Sequence, residues 1–184
     1  AVLNSLTNSN YSVVWHPMTF ADVNNHWAKD AVNDMGSRMV VNGVTDTTFN
    51  PNANITRAEF AAIIVRGLGL PTGKGADSFS DVKSDAWYAG AVQTAVTYKL
   101  INGFADGTFR PQDTITREQA MMIVAKAMSL TGLAERTPAS DTTAALAGFA
   151  DHNQIGSWAK DNLALTVRAH LINGRSGKME PQAN

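Results

Sequence analysis

A run of short motifs occurs three times along this 184-residue chain, in the same order and at near-constant spacing. The first copy reads Phe20-Ala-Asp22, Trp27, Asn42-Gly43, Phe49-Asn-Pro51 and Ile55-Thr-Arg-Ala-Glu59. The second reads Phe79-Ser-Asp81, Trp87, Asn102-Gly103, Phe109-Arg-Pro111 and Ile115-Thr-Arg-Glu-Gln119. The third reads Phe149-Ala-Asp151, Trp158, Asn173-Gly174 and Met179-Glu-Pro181, and the sequence stops at Asn184. In each copy the tryptophan precedes the asparagine by fifteen residues. A repeat of this length is one supersecondary unit that buries its apolar face only against its neighbours, so the copies must share a core.

Within a copy the pattern is helical. Trp27, Ala31, Met35 and Met39 recur every four residues, as do Trp87, Ala91 and Ala95 with Tyr98 three further on, and Trp158, Asn162, Thr166 and His170 less cleanly. These rows predict a short amphipathic helix of about four turns. The Asn-Gly pair is expected to stop it by supplying a residue tolerant of positive φ, and a turn-rich loop with one buried aromatic follows. A second helix then opens on a capping box, Thr56 with Glu59 and Thr116 with Gln119. Behind these caps run Phe60-Ala-Ala-Ile-Ile-Val65 and Ala120-Met-Met-Ile-Val-Ala125, apolar almost all round, as helices packed on several sides are.

The expected fold class is therefore all-α, three tandem helix-loop-helix modules with central helices. Residues 1–19 form a leader in which Tyr11-Ser-Val-Val-Trp15 reads as a β-strand; the modules occupy 20–73, 74–140 with its linker, and 141–184. Residues 71–78 and 131–141 have linker composition, with a further helical turn expected from Thr142. By comparison with the first two copies, the third lacks a central helix of about 16–19 residues, which points to truncation.

Composition narrows the function classes. Fifteen Lys and Arg against sixteen Asp and Glu give a net charge of −1, which removes bulk attraction to nucleic acid or to an anionic membrane. Six consecutive apolar residues, Phe60 to Val65, are far fewer than the ~20 that span a bilayer. The absence of cysteine excludes a disulfide scaffold, a thiol nucleophile and a thiolate metal site. Ala1-Val-Leu-Asn-Ser lacks the basic and apolar regions of a signal peptide, which is expected to be removed or to lie upstream. His16, His26, His152 and His170 have no zinc spacing, and Asp106-Gly107 lacks the ligand series of a calcium loop. No nucleophile elbow, phosphate loop or dinucleotide fingerprint occurs, so neither metal nor cofactor is expected. Paired carboxylates pass on spacing alone, but acids recurring identically across repeats read as scaffold rather than catalysts.

The motif series resembles the S-layer homology family over residues 20–184. That resemblance implies a pseudo-threefold bundle and a non-catalytic role: anchoring surface-layer proteins or exoenzymes to the Gram-positive cell wall, outside the cell. It also implies a ligand class, an acidic secondary cell-wall polymer that often carries a pyruvate ketal, bound in grooves between adjacent modules. The arginine of the Thr-Arg-Ala-Glu motif is implicated, which carries over to Arg57 and Arg117. The third copy departs from the pattern, with Gly174-Arg-Ser-Gly-Lys178 in place of the Gly-x-x-Asp-Gly loop.

For each candidate residue a structural role stands beside a binding role. Arg57 and Arg117 lie in a first helical turn, where the macrodipole disfavours a cation; they suit either an anion receptor assisted by free helix N–H groups or an ion pair with Asp22 or Asp81. Trp27, Trp87 and Trp158 are core residues or groove walls that stack on sugar rings. Asn102, Gly103, Asn173 and Gly174 are helix stops whose backbone a ligand can approach. Asp22, Asp81 and Asp151 cap the following helix or accept a sugar hydroxyl. Arg175 and Lys178 either belong to a solvated loop or add positive charge to a groove. The expected partner is the acidic glycan, with surface-layer self-assembly through other parts of the parent protein. The alternative from another class is a protein–protein assembly module of the surface layer, and a wall glycan hydrolase comes third.

Overall fold

The computed structural model describes residues 14–73 and 79–184. The chain divides into two compact units, Ala1–Pro51 and Asn52–Asn184. Among the described residues both are helical, and extended pairing is confined to two isolated bridges, Thr56 with Thr114 and Arg175 with Lys178. The strand expected over residues 11–15 lies largely outside the described residues; Val14 and Trp15 are exposed and have no regular structure.

In the first unit a 3-10 turn, Ala21–Val23, leads to helix α1, Lys29–Ser37. Its small core is Phe20, Val23 and Val32, with Met18, Ala28 and Phe49 packed around them. In the second unit the order is α2 (Arg57–Gly67), α3 (Ala89–Thr97), α4 (Arg117–Leu130), α5 (Leu133–Arg136), α6 (Thr142–Leu146), a 3-10 turn at His152–Gln154, and α7 (Lys160–Arg168). The stretch 131–141 is more than linker, since it contains α5. The turn expected from Thr142 is α6, capped by the Asp141 carboxylate on the Ala144 N–H at 2.8 Å.

Helix α2 packs on α3, and α4 packs on α7, so each capped helix meets the first helix of the following repeat. Ala61 and Val65 of α2 share one core with Val92, Ala95, Leu100, Phe109 and Ile115. Helix α4 serves two cores. Its Ile123 and Ala127 enter that cluster, while Met121 enters a second one with Leu146, Ile155, Leu163 and Met179. A helix buried on opposite faces has no polar stripe to keep, which accounts for the nearly unbroken apolar run of 120–125.

The first helices differ from expectation in start, face and stop. Each begins two residues after its tryptophan, runs nine residues and has no side-chain cap. Val32 and Gly36 of α1, Val92 and Ala95 of α3, and Leu163 and Ala164 of α7 point inward. The tryptophans do not: Trp27, Trp87 and Trp158 are 92%, 63% and 51% exposed. The rows of every fourth residue mixed the two faces, because Ala91, Ala95 and Thr166 are buried while Met35, Met39 and Tyr98 are exposed. The stop comes three residues before the Asn-Gly pair, at Met39, Lys99 and His170, whose φ values of 59°, 57° and 55° are left-handed. There the N–H groups of Val40, Leu100 and Leu171 reach back to the carbonyls of Met35, Ala95 and Thr166, as in a Schellman ending.

The glycine of each pair has a different reason. A Cβ on Gly103 would enter the van der Waals shell of the Phe79 ring, and one on Gly174 would lie 2.5 Å from Phe149 Cε1 and from the Lys178 carbonyl. Gly43 meets Phe20 in the same way. The Phe of each Phe-x-Asp motif is thus seated against the glycine of the same repeat. The aspartate does not cap the following helix. Asp81 accepts the N–H groups of Phe109 and Arg110 at 2.8 and 2.7 Å, Asp151 those of Met179 and Glu180 at 2.7 and 2.8 Å, and Asp22 those of Phe49 and Asn50. The residue before each proline, Asn50, Arg110 or Glu180, has a positive φ, which helps aim consecutive N–H groups at one carboxylate.

Two outcomes follow from this loop. Gly103→Ala should destabilise the protein by about 1–3 kcal/mol through overpacking against Phe79; an unchanged urea midpoint would contradict the close approach. Asp106 accepts the Thr108 hydroxyl and N–H and the Arg110 guanidinium, and these bonds hold its carboxyl down to about 2 from the ordinary 3.8. A depressed carboxyl favours the fold fully above its ordinary value and loses that contribution as pH falls through the folded value. Carbon-detected NMR should therefore find Asp106 titrating near 2, with Thr108→Ala moving the midpoint upward.

Candidate functional site

The first backbone N–H groups of α2 and α4 are not free. Arg57 N donates to Asp113 O at 2.9 Å and Ala58 N to Pro111 O at 3.1 Å. In α4, Arg117 N donates to Ala183 O at 2.8 Å and Glu118 N to Pro181 O at 3.0 Å. The next N–H is taken by the capping threonine, Thr56 Oγ1 to Glu59 N at 3.2 Å and Thr116 Oγ1 to Gln119 N at 3.4 Å. The anion receptor built from open helix N–H groups is therefore absent from both helices, because carbonyls of the following repeat occupy it.

The arginine side chains remain. Arg57 is 7% exposed, with Nε donating to Phe109 O at 2.9 Å and Nη2 to Asn102 O at 3.1 Å. Its guanidinium carbon lies 4.8 Å from the centroid of Phe104 and 4.9 Å from that of Phe109. Among the described residues no carboxylate pairs with it; the ion pairs are Arg38 with Asp34 and Arg110 with Asp106. The pairing with Asp81 is thus not formed. Burial lowers the Arg57 pKa from its ordinary value; the field of Asp113 opposes this, Arg110 adds to it, and Asp81 opposes it. The group stays a cation, held by neutral carbonyls and ring faces.

Arg117 repeats part of this arrangement, with Nε on Met179 O at 3.0 Å. It is half-buried, and the position matching Phe104 is occupied by Arg175. The match rests on the loop itself, since Phe104 N bonds Thr108 O at 2.7 Å and Arg175 N bonds Lys178 O at 2.8 Å. Arg175 and Lys178 are both exposed. The structure brings Arg57 together with Asn102 through the Asn102 carbonyl, while Gly103 and Gly174 are occupied by the phenylalanine contacts already described. Asn102 and Asn173 are exposed. Asp81 is engaged with backbone N–H groups, and so, in the first unit, is Asp22.

The three tryptophans are supported differently. Trp27 lies 5.3 Å from the His26 ring, Trp87 meets Tyr88 edge-on at 5.3 Å, and Trp158 packs against the Cα of Gly156. All three are exposed. Spacing does not reveal Phe104, whose ring lies against both Arg57 and Arg110. Its signal is an aromatic where the other loops have Val44 and Arg175. Among the described residues no cluster of three or more His, Cys, Asp or Glu is placed to hold a metal ion, and no helix is long and apolar enough to cross a membrane.

A family model described as the S-layer homology domain matches residues 19–61 and 78–121. The chain is similar to an amylopullulanase of Thermoanaerobacterium thermosulfurigenes, 35% identical over 96% of this chain and 9% of that protein. It is equally similar to an exoglucanase of Acetivibrio thermocellus, 35% identical over 92% of this chain and 15% of the relative. It is 32% identical to a surface-layer 125 kDa protein of Lysinibacillus sphaericus, over 86% of this chain and 12% of the relative. The chain thus spans between 9% and 15% of the length of these relatives. The repeated loop and the capping box that opens the following helix fall within the two matched segments, and over those segments the chain belongs to the S-layer homology domain family.

Proposed function

We propose that this chain is a non-catalytic anchor that attaches a larger protein to the Gram-positive cell wall, outside the cell, by binding an acidic secondary wall polymer. The observation that carries this reading is Arg57, a buried guanidinium that spends two donors on main-chain carbonyls and makes no ion pair among the described residues, Asp113 and Asp81 acting on it only at a distance. A polymer carboxylate supplies that charge with a direct partner, which a neutral sugar does not. A pyruvate ketal is an acid of the required kind. The exposed indoles of Trp27, Trp87 and Trp158 suit stacking on sugar rings, and their recurrence suits a repeating glycan.

The relatives support the anchoring role. Proteins named as an amylopullulanase, an exoglucanase and a surface-layer protein share this segment, although their names describe unlike activities. A small part common to such different proteins is better explained by attachment than by catalysis. At a net charge of −1 a polyanion is caught by placed cations rather than by the overall field.

Isothermal calorimetry with purified wall polymer tests this. Arg57→Ala should weaken binding about 10- to 100-fold, the value of a hydrogen bond to a charged group, and Arg57→Lys should recover only part of it. Circular dichroism of each variant separates lost binding from lost fold, since Arg57 also holds the 102–109 loop. Undiminished affinity in folded Arg57→Ala, or equal affinity of the native chain for polymer stripped of its acidic substituent, would overturn the proposal.

A further inference from the structure

Glu118 is a charged side chain left 5% exposed in the first turn of α4, at the position that Ala58 holds in α2. Its Oε2 accepts the Gly156 N–H at 3.0 Å, and its Oε1 accepts the Gln182 side-chain amide at 2.9 Å. That amide also reaches the Gln154 carbonyl at 3.4 Å. One buried carboxylate therefore clamps two separate segments of the third repeat, the turn through Gln154 and Gly156 and the closing stretch at Gln182.

Gly156 is where Trp158 rests. A Cβ added there would lie 2.5 Å from the indole Nε1 and 3.0 Å from Cδ1, so the ring lies against bare backbone. The Gly156 carbonyl also accepts the Ala159 N–H at 2.9 Å, tying the same peptide stretch to the entry of α7. The chain of contact runs from carboxylate to peptide N–H to indole without a gap. In the first two repeats the tryptophan has an aromatic neighbour instead, His26 for Trp27 and Tyr88 for Trp87. Ala58 has no polar side-chain atom with which to make such a clamp.

We infer that Glu118 is a positioning residue for the third repeat's sugar platform: from the N-terminus of α4 it fixes the Gly156 peptide and through it the orientation of the exposed Trp158 indole. This rests on the carbohydrate-binding reading for the platform's purpose, but the positioning itself is separately measurable. A hydrogen bond to a buried carboxylate is stronger than one between neutral groups and is costly to leave unmade, so the Gly156 peptide has little freedom.

The test uses 5-fluorotryptophan-labelled protein, in which fluorine NMR resolves the four tryptophans. Glu118→Ala should move the Trp158 resonance toward that of free indole and leave Trp27 and Trp87 in place. Gly156→Ala, which displaces the ring with Glu118 intact, should move the same resonance. Glu118→Gln, which keeps one carbonyl acceptor, should give a smaller shift and remains informative if the alanine variant fails to fold. Toward purified acidic wall polysaccharide, Glu118→Ala should lose about tenfold in affinity, the order expected when a loosened side chain must be immobilised again on binding, and nothing further in a Trp158→Ala background. An unmoved Trp158 resonance in folded Glu118→Ala and Glu118→Gln overturns the positioning role. A shifted resonance with Trp158→Ala binding as tightly as the native chain upholds the positioning and overturns the platform reading instead.

Discussion

The second unit depends on how the N-termini of α2 and α4 are closed. Two backbone N–H groups at each end donate to carbonyls of the following repeat, Asp113 and Pro111 for α2 and Ala183 and Pro181 for α4. A helix end buried without partners is costly, so each capped helix requires the next repeat's loop to be in place. The Ile115 N–H to Ile55 carbonyl bond at 3.1 Å adds a further link at the first of these joints. Repeats joined in this way stabilise each other by nearest-neighbour contact, as expected of short modules that cannot bury their own faces.

The closing loop is itself held by residues within its own repeat. Phe79 lies against Gly103, Asp81 gathers the Phe109 and Arg110 N–H groups, and Phe79 and Phe109 meet at 5.4 Å between ring centroids. Most of the motif is therefore scaffold that points carbonyls at a neighbouring helix. Two other carbonyls of the same loop, those of Phe109 and Asn102, receive the Arg57 guanidinium, which explains how a cation is tolerated in a first helical turn where the macrodipole disfavours it. The same loop supplies Phe104 as a ring beside that cation.

The helical class, the order of elements and both capping boxes are legible in the sequence because they are local: Thr56 with Glu59 and Thr116 with Gln119 act across one turn. The Ala-rich rows behind the tryptophans also mark helices, but periodicity counted from Trp27 and Trp87 mixes exposed with buried positions. Indoles outside the first turn look periodic with it. The purposes of Asn-Gly and Phe-x-Asp are not local. Gly103 is required by a ring 24 positions earlier in the chain, and Asp81 acts on an N–H 28 positions later. Spacing shows that such residues recur but not what they touch. Glu118 is harder still, since its partners at Gly156 and Gln182 lie 38 and 64 positions away, and its only trace is a charge where the first repeat has Ala58.

With net charge near zero, capture of an acidic polymer falls to placed cations, above all to the buried Arg57 guanidinium, which donates to main-chain carbonyls but has no direct ion pair among the described residues. Nitrogen-resolved NMR of the arginine side chains, followed during titration with purified wall polymer, observes that group directly. In the free protein the Arg57 Nε–H should be protected from exchange by the Phe109 carbonyl. The Arg57 Nη signals should shift saturably with acidic polymer and not with polymer stripped of its acid. Equal shifts with both polymers, or an Arg57 signal that stays still while the polymer binds, would contradict this reading.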